Sequence, residues 1–156
     1  MILRPMQPTD IFPCARLMAQ SPLWKRYSVT EASAARRFEQ GLRSQATIVV
    51  AEDGANVAGF IWYEPRGAFA RSGYIVLIGV QPALRGRGVG QALMAHAEAD
   101  LFSVVDDIFL LVSDFNRDAQ RFYQRLGYHQ VGMIPDYVVM GITELIYHKR
   151  SPDAKR

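Results

Sequence analysis

Two hydrophobic periods alternate along the chain, and together they predict a mixed α/β domain. Short β-rich runs stand at 2–5, 46–52, 57–63, 74–80, 108–112, 128–133 and 142–148. Helical spacing separates them at about 10–19, 30–41, 91–102 and 116–126. Thr9 or Asp10 is placed to cap the first helix, with Pro13 near its first turn. Ser28-Val29-Thr30-Glu31 fits a capping box, and Ala34, Ala35 and Phe38 lead to Gly41 as the expected stop. Asp53-Gly54-Ala55-Asn56 is a turn between two β runs, hence a hairpin. Gly79 interrupts the run at 74–80 and marks a bulge or a close backbone approach. Leu93, Ala97 and Leu101 recur every four residues, the stripe of a helix lying on a sheet. Gly127 ends the last helix. The order β-α-α-β-β-β-α-β-α-β-β is that of one domain, α/β (α+β mixed), with about seven strands and about four helices.

Composition narrows the function. The chain has 156 residues, 49% hydrophobic and 21% charged, as expected of one globular domain with a proper core. Its longest apolar run is about seven residues, against the ~20 needed to span a bilayer, so no membrane role is expected. The N-terminal stretch carries Arg4 and Asp10 and no cleavage-site pattern. One cysteine, Cys14, excludes an internal disulfide, suits a reducing cytoplasm and reads as packing. His96, His129 and His148 lack metal-ligand spacing, and no metal is expected. Net charge is +3 without a basic stripe interleaved with aromatics, which disfavours nucleic acid. A small polyanion accounts better for the arginines near the middle of the chain.

Those arginines belong to Arg85-Gly86-Arg87-Gly88-Val89-Gly90, which follows a strand and opens a helix. Alternating glycines let the backbone curl towards a ligand, and N–H groups at a helix start attract an anion. A glycine-rich surface turn is the plain alternative. A Walker loop requires G-x-x-x-x-G-K-[ST], but Gln91 and Ala92 follow Gly90. A dinucleotide fingerprint requires G-x-G-x-x-G, whereas the spacing here is G-x-G-x-G.

The loop does fit R/Q-x-x-G-x-G/A. With the preceding Leu77-Ile78-Gly79-Val80-Gln81-Pro82, it resembles the acetyl-coenzyme A loop of the GCN5-related N-acetyltransferase (GNAT) family. Downstream, Asn116-Arg117-Asp118-Ala119-Gln120-Arg121-Phe122-Tyr123 and Leu126-Gly127-Tyr128 fit N-x-x-A-x-x-F-Y-x-x-x-G-[FY], also common in that family. The element order agrees over about residues 2–149. The resemblance implies a GNAT-like domain over 1–150 and a polar tail over 151–156. It implies that the backbone from Arg85 through Gly86, Arg87, Gly88 and Val89 to Gly90, with Gln91, holds the pyrophosphate of acetyl-CoA. Ile78, Gly79 and Val80 would border a wedge for the pantetheine arm, with Asn116 and Tyr123 on its other side.

The implied reaction moves an acetyl group from the thioester to a primary amine of a small molecule or peptide. The same resemblance makes Tyr123 the group that meets the leaving thiolate. A coenzyme A sensor with little catalysis is the alternative, because the 74–80 strand lacks the carboxylate that some relatives use as a base. Glu52, Glu64, Glu144 and Tyr137 remain as bases, each read first as a surface group. A missing base favours an α-amine near pKa ~7.8 over a lysine near ~10.4. Asn116 divides between helix cap and coenzyme contact. Trp24, Tyr27, Trp62 and Tyr63, with segments 67–72 and 134–139, are candidate borders of the acceptor pocket, and most of these aromatics are also natural core. An exposed final strand leaves a homodimer possible.

Overall fold

The computed structural model describes residues 1–155; Arg156, the end of the expected tail, lies outside the described residues. Seven strands form a single sheet in the order β1-β2-β3-β4-β5-β7-β6. They are β1 Ile2–Pro5, β2 Thr47–Asp53, β3 Asn56–Ala68, β4 Ser72–Val80, β5 Asp107–Ser113, β6 His129–Ile134 and β7 Glu144–Arg150. The helices are α1 Ile11–Gln20, α2 Pro22–Lys25, α3 Glu31–Arg43, α4 Val89–Phe102 and α5 Arg117–Arg125. The single-turn α2 and the 3-10 turns at Pro8–Asp10 and Pro82–Leu84 are the additions to the sequence reading. Every strand pair is antiparallel except β4 with β5, which α4 connects.

Each face of the sheet has its own core. On one side Leu93, Ala97 and Leu101 of α4 are buried against Ile61, Tyr63, Ile75 and Ile108, and Tyr123 and Tyr128 join them. On the other, Cys14, Leu17 and Met18 of α1 and Ala34, Ala35 and Phe38 of α3 pack on Ile48, Val50 and Phe60. Cys14 is fully enclosed, and burial pushes its thiol up to about 12, so it is inert packing.

Three local expectations change. The capping box forms on Thr30, whose Oγ1 accepts from Ser33 N while Ser33 Oγ accepts from Thr30 N; Ser28 instead turns the chain with φ +58°. Gly41 does not stop α3, which continues to Arg43. It is buried, and a Cβ there would lie 2.6 Å from Trp62 Cη2, so the glycine makes room for the indole. Gly79 marks the close approach and not the bulge. A Cβ on it would meet Phe60 at 2.7 Å, while one on Gly59 would meet the Gly79 oxygen at 2.6 Å.

The bulge falls earlier in β4. Trp62 opposes Leu77 but Tyr63 opposes Ile75, leaving Val76 as the extra residue. Pairing with β5 runs through Gly73↔Ile108 and Tyr74↔Phe109 and ends at Ile75↔Leu110, immediately before that residue. A bulge bends its strand and increases the local twist. Beyond Val76, β4 therefore stays with β3 and leaves β5, and a wedge opens between the two.

Candidate active site

The ladder determines which backbone groups face the wedge. Gln81 N donates to Ala58 O at 2.9 Å, which makes that a hydrogen-bonded pair of the β3–β4 ladder. In an antiparallel ladder such pairs alternate. Gly79 and Leu77 then also bond β3, whereas Val80 and Ile78 turn their N–H and C=O groups towards the wedge. Gly79 contributes its missing side chain and not its polar atoms.

At the wide end of the wedge the chain turns into α4. Gly86 and Gly88 have φ of +74° and +83°, and a Cβ on either would meet nothing within 4 Å. Arg85 N and Arg87 N are committed to turn bonds with Pro82 O and Leu84 O, both at 3.3 Å. The N–H groups of Gly86, Gly88, Val89, Gly90 and Gln91 have no such partner among the described residues, and α4 carries no acidic residue in its first turn. The result is a concave row of donors at the positive end of a 14-residue helix, flanked by two exposed arginines. Gly90 belongs to the helix, and its role is contact: a Cβ there would lie 3.3 Å from Phe122 Cζ.

The opposite wall is α5. Asn116 caps it, its Oδ1 accepting from Ala119 N at 3.2 Å. The most buried face of this helix carries Gln120 and Tyr123, whereas Ala119, Phe122 and Leu126 are partly buried around it. Tyr123 is therefore not at the edge of the packed face. Its ring lies against Phe122, Tyr128 and Tyr147, with centroids 5.3, 6.0 and 6.4 Å away. Its hydroxyl has no hydrogen-bond partner among the described residues, and burial, reinforced by Tyr74, pushes it well above the usual phenol range. It stays protonated and is available as a donor. Gln120, which sequence reasoning passed over, donates from Nε2 to Ser113 O (3.1 Å) and Asp114 O (3.0 Å). It ties α5 to the end of β5; a lone amide in the middle of an apolar helix face was the available signal.

The candidate bases separate clearly. Glu52 is paired with Arg4 at 2.5 Å, and Glu64 accepts from Trp62 Nε1 at 2.8 Å. Tyr137 is exposed. Glu144 is not a surface group: it is buried at the start of β7, opposite Ser113, and accepts a 2.5 Å hydrogen bond from the Tyr27 hydroxyl. Of the aromatics, Trp24 stacks on Phe60 and Tyr63 donates to Asp100, so both are structural. Tyr27 reaches the end of β5, where its hydroxyl bonds Ser113 and Glu144. Segment 67–72 is the β3–β4 hairpin, at the opposite end of the nine-residue β4 from the glycine loop, which at about 3.3 Å per residue sets the two well apart. A shallow concavity lined by Phe69, Arg71, Asp107, Phe109 and His148 lies at that far end too, remote from the wedge.

A family model described as the acetyltransferase (GNAT) family matches residues 14–128. The chain belongs to that family. It is 34% identical over 86 residues to an uncharacterized N-acetyltransferase of Methanocaldococcus jannaschii, covering 54% of this chain and 55% of that protein. It is 32% identical over 119 residues to the mycothiol acetyltransferase of Thermobispora bispora, covering 73% of this chain and 40% of that one. The matches thus span about half, or less, of these relatives' lengths. A solved aminoglycoside 6'-N-acetyltransferase complexed with coenzyme A has the same fold, with a TM-score of 0.80 and 19% identity over 98% of this chain and 100% of that chain. The seven-stranded mixed sheet, with its helices on both faces, is the GNAT fold.

Proposed function

We propose that this chain is an N-acetyltransferase that moves the acetyl group of acetyl-CoA directly to a primary amine of a small molecule or peptide. The observation that carries the reading is the wedge that opens past the Val76 bulge, with the donor row at the start of α4 at its wide end, and we assign Tyr123 to its inner end. Coenzyme A has a pyrophosphate at one end and a peptide-like arm at the other. The N–H groups of Gly86, Gly88, Val89, Gly90 and Gln91 suit the first, with Arg85 and Arg87 adding charge. Ile78 and Val80 offer strand-like pairing to the second, with Gly79 between them and Asn116 on the facing wall. The coenzyme A bound in the similar aminoglycoside enzyme supports the donor assignment.

Within the wedge, the amine attacks the thioester carbon and a C–N bond forms. The carbonyl oxygen takes negative charge, which free backbone N–H groups of β4 stabilise. The C–S bond then breaks, and Tyr123 donates a hydrogen bond to the departing thiolate, which takes up the proton released by the amine nitrogen. Because Tyr123 is a weaker acid than a thiol, it need not give up its own proton completely.

Two measurements test the proposal together. Calorimetry is expected to show coenzyme A binding that is lost in a Gly88→Asp variant. A thiol-release assay with a panel of alkylamines, amino acids, aminoglycosides and peptides with free α-amines is expected to show saturable turnover with at least one. Tight coenzyme binding without turnover of any amine would instead favour a sensor.

A further inference from the structure

Among the described residues three acidic side chains are buried: Asp10, Asp107 and Glu144. Asp10 is paired with Arg4 at 2.7 Å, and Asp107 is held by His148 and Arg150 at 2.8 and 3.1 Å. Glu144 has no cation beside it among the described residues, although only 5% of its surface is exposed. Its one hydrogen bond comes from the Tyr27 hydroxyl onto Oε1. That hydroxyl spends its single proton there, so Ser113 Oγ donates in turn to the Tyr27 oxygen. Oε2 carries no hydrogen bond among the described residues, yet it is not among the side-chain atoms sealed there without a partner, which are Glu98 Oε1 and the Tyr128 hydroxyl. A buried carboxylate held only by a neutral hydroxyl costs stability unless a cation joins it.

Its position says which cation. Glu144 faces Ser113, the last residue of β5, on the stretch of that strand that β4 has already left. Tyr27 closes over it from the connection between α2 and α3. Tyr74 stands at the last paired positions before the bulge, and burial first, then Tyr137 and Glu144, push its phenol up against the opposing pull of Arg37. Tyr27, from a separate segment, thus covers a buried carboxylate that has no ion-pair partner among the described residues, beside the stretch of β5 that β4 has left.

We propose that Glu144 is the acceptor anchor: its Oε2 receives the primary ammonium group of the substrate, takes the proton that must leave before attack and passes it to solvent, and orients the resulting neutral nitrogen towards the thioester. Tyr27 and Ser113 are positioning residues that fix the carboxylate through Oε1. The acceptor is therefore an amine that is cationic near neutral pH, and Glu144 supplies the carboxylate that the β4 strand lacks. This rests on the acetyltransferase reading above.

The test compares Glu144→Gln and Glu144→Asp with the wild-type protein, using the best amine of the panel and acetyl-CoA. Glutamine keeps an acceptor for Tyr27 but loses the charge; aspartate keeps the charge with a shorter reach. The Gln variant is expected to lose at least thirtyfold in kcat/KM for the amine, with the KM for acetyl-CoA unchanged. The Asp variant is expected to retain several times more activity than the Gln variant. Thermal stability of the Gln variant is expected to equal or exceed that of the wild type, because an unpaired buried charge has been removed. Amine kcat/KM within twofold of wild type in the Gln variant overturns the anchor while leaving the acetyltransferase reading intact. Equal damage in both variants with a lowered melting temperature also overturns it, by making Glu144 structural. A wild-type protein that acetylates nothing defeats the broader reading and the anchor with it.

Discussion

Gly90 and Phe122 touch across the wedge: a Cβ on the glycine would stand 3.3 Å from the Phe122 ring and 3.6 Å from the Val80 side chain. The two motifs are separated by more than twenty residues in the chain, yet they pack as one unit. Gly90 is there for contact between α4, α5 and β4, whereas Gly86 and Gly88 are there for backbone conformation.

That division predicts different outcomes for two similar substitutions. Gly88→Ala places a side chain at φ +83°, a strain of about 1–2 kcal/mol that distorts the donor row. The melting temperature is expected to fall and the coenzyme A Kd to rise at least tenfold. In Gly90→Ala, the gain in helix propensity of up to about 1 kcal/mol offsets the crowding of Phe122. Its melting temperature is expected to stay close to wild type, with a smaller loss of coenzyme affinity. Calorimetric titration and thermal melts of both variants decide the matter.

Gly41 provides a stability test away from the wedge. Helix propensity alone says that Gly41→Ala stabilises α3. The space says otherwise, because the new Cβ would lie 2.6 Å from Trp62 Cη2 and 3.0 Å from Ile48 Cδ1. Overpacking of this kind costs about 1–3 kcal/mol. Denaturant unfolding is expected to show net destabilisation; a more stable variant would mean that the indole moves aside freely.

Acid stability depends on Arg4. Burial pushes the Asp10 carboxyl up, but Arg4 and the Gln7 N–H outweigh it and hold the group below its usual value. The unfolded carboxyl titrates near ~3.9. The stabilisation is therefore complete above about pH 4 and is lost as pH falls through the lower folded value. In Arg4→Gln only burial and the Gln7 N–H remain, so the acid unfolding midpoint is expected to move to higher pH. Because Arg4 is about a quarter exposed, the loss at pH 7 is expected to be about 1–3 kcal/mol. An acid-unfolding series at constant ionic strength measures both effects.

The parts legible in the sequence are those encoded by local pattern. Strand alternation, the Leu93, Ala97 and Leu101 stripe, the Gly54 turn and the Asn116 cap all follow from neighbours a few residues apart. The parts that were not legible depend on partners far along the chain. Gly41 read as a helix stop because nothing nearby announces Trp62, 21 positions on. Val76 carries no mark of a bulge, since the extra residue exists only relative to the register of β3. Glu144 resembled any polar residue at a strand start until Tyr27, 117 positions earlier, was found bonded to it. Local pattern thus pointed to the proposed donor end of the wedge, whereas the proposed acceptor end rests on the three-dimensional arrangement alone.

Tyr123 is the proposed partner of the leaving thiolate, and its substitution separates chemistry from packing. Its hydroxyl bonds to no residue among those described, so Tyr123→Phe leaves no protein group unsatisfied. The melting temperature and the coenzyme A Kd are expected to remain at wild-type values. Turnover is expected to fall at least tenfold, as for loss of a positioned acid. Burial raises this phenol above its ordinary value of ~10, so the donor form persists across the usual assay range. Tyr123 then contributes no alkaline decline below about pH 10, and at saturating amine kcat should rise with pH as the bound ammonium loses its proton. The Phe variant is expected to show the same pH profile at a uniformly lower rate. Wild-type turnover in that variant would remove Tyr123 from the reaction and leave its ring a packing role.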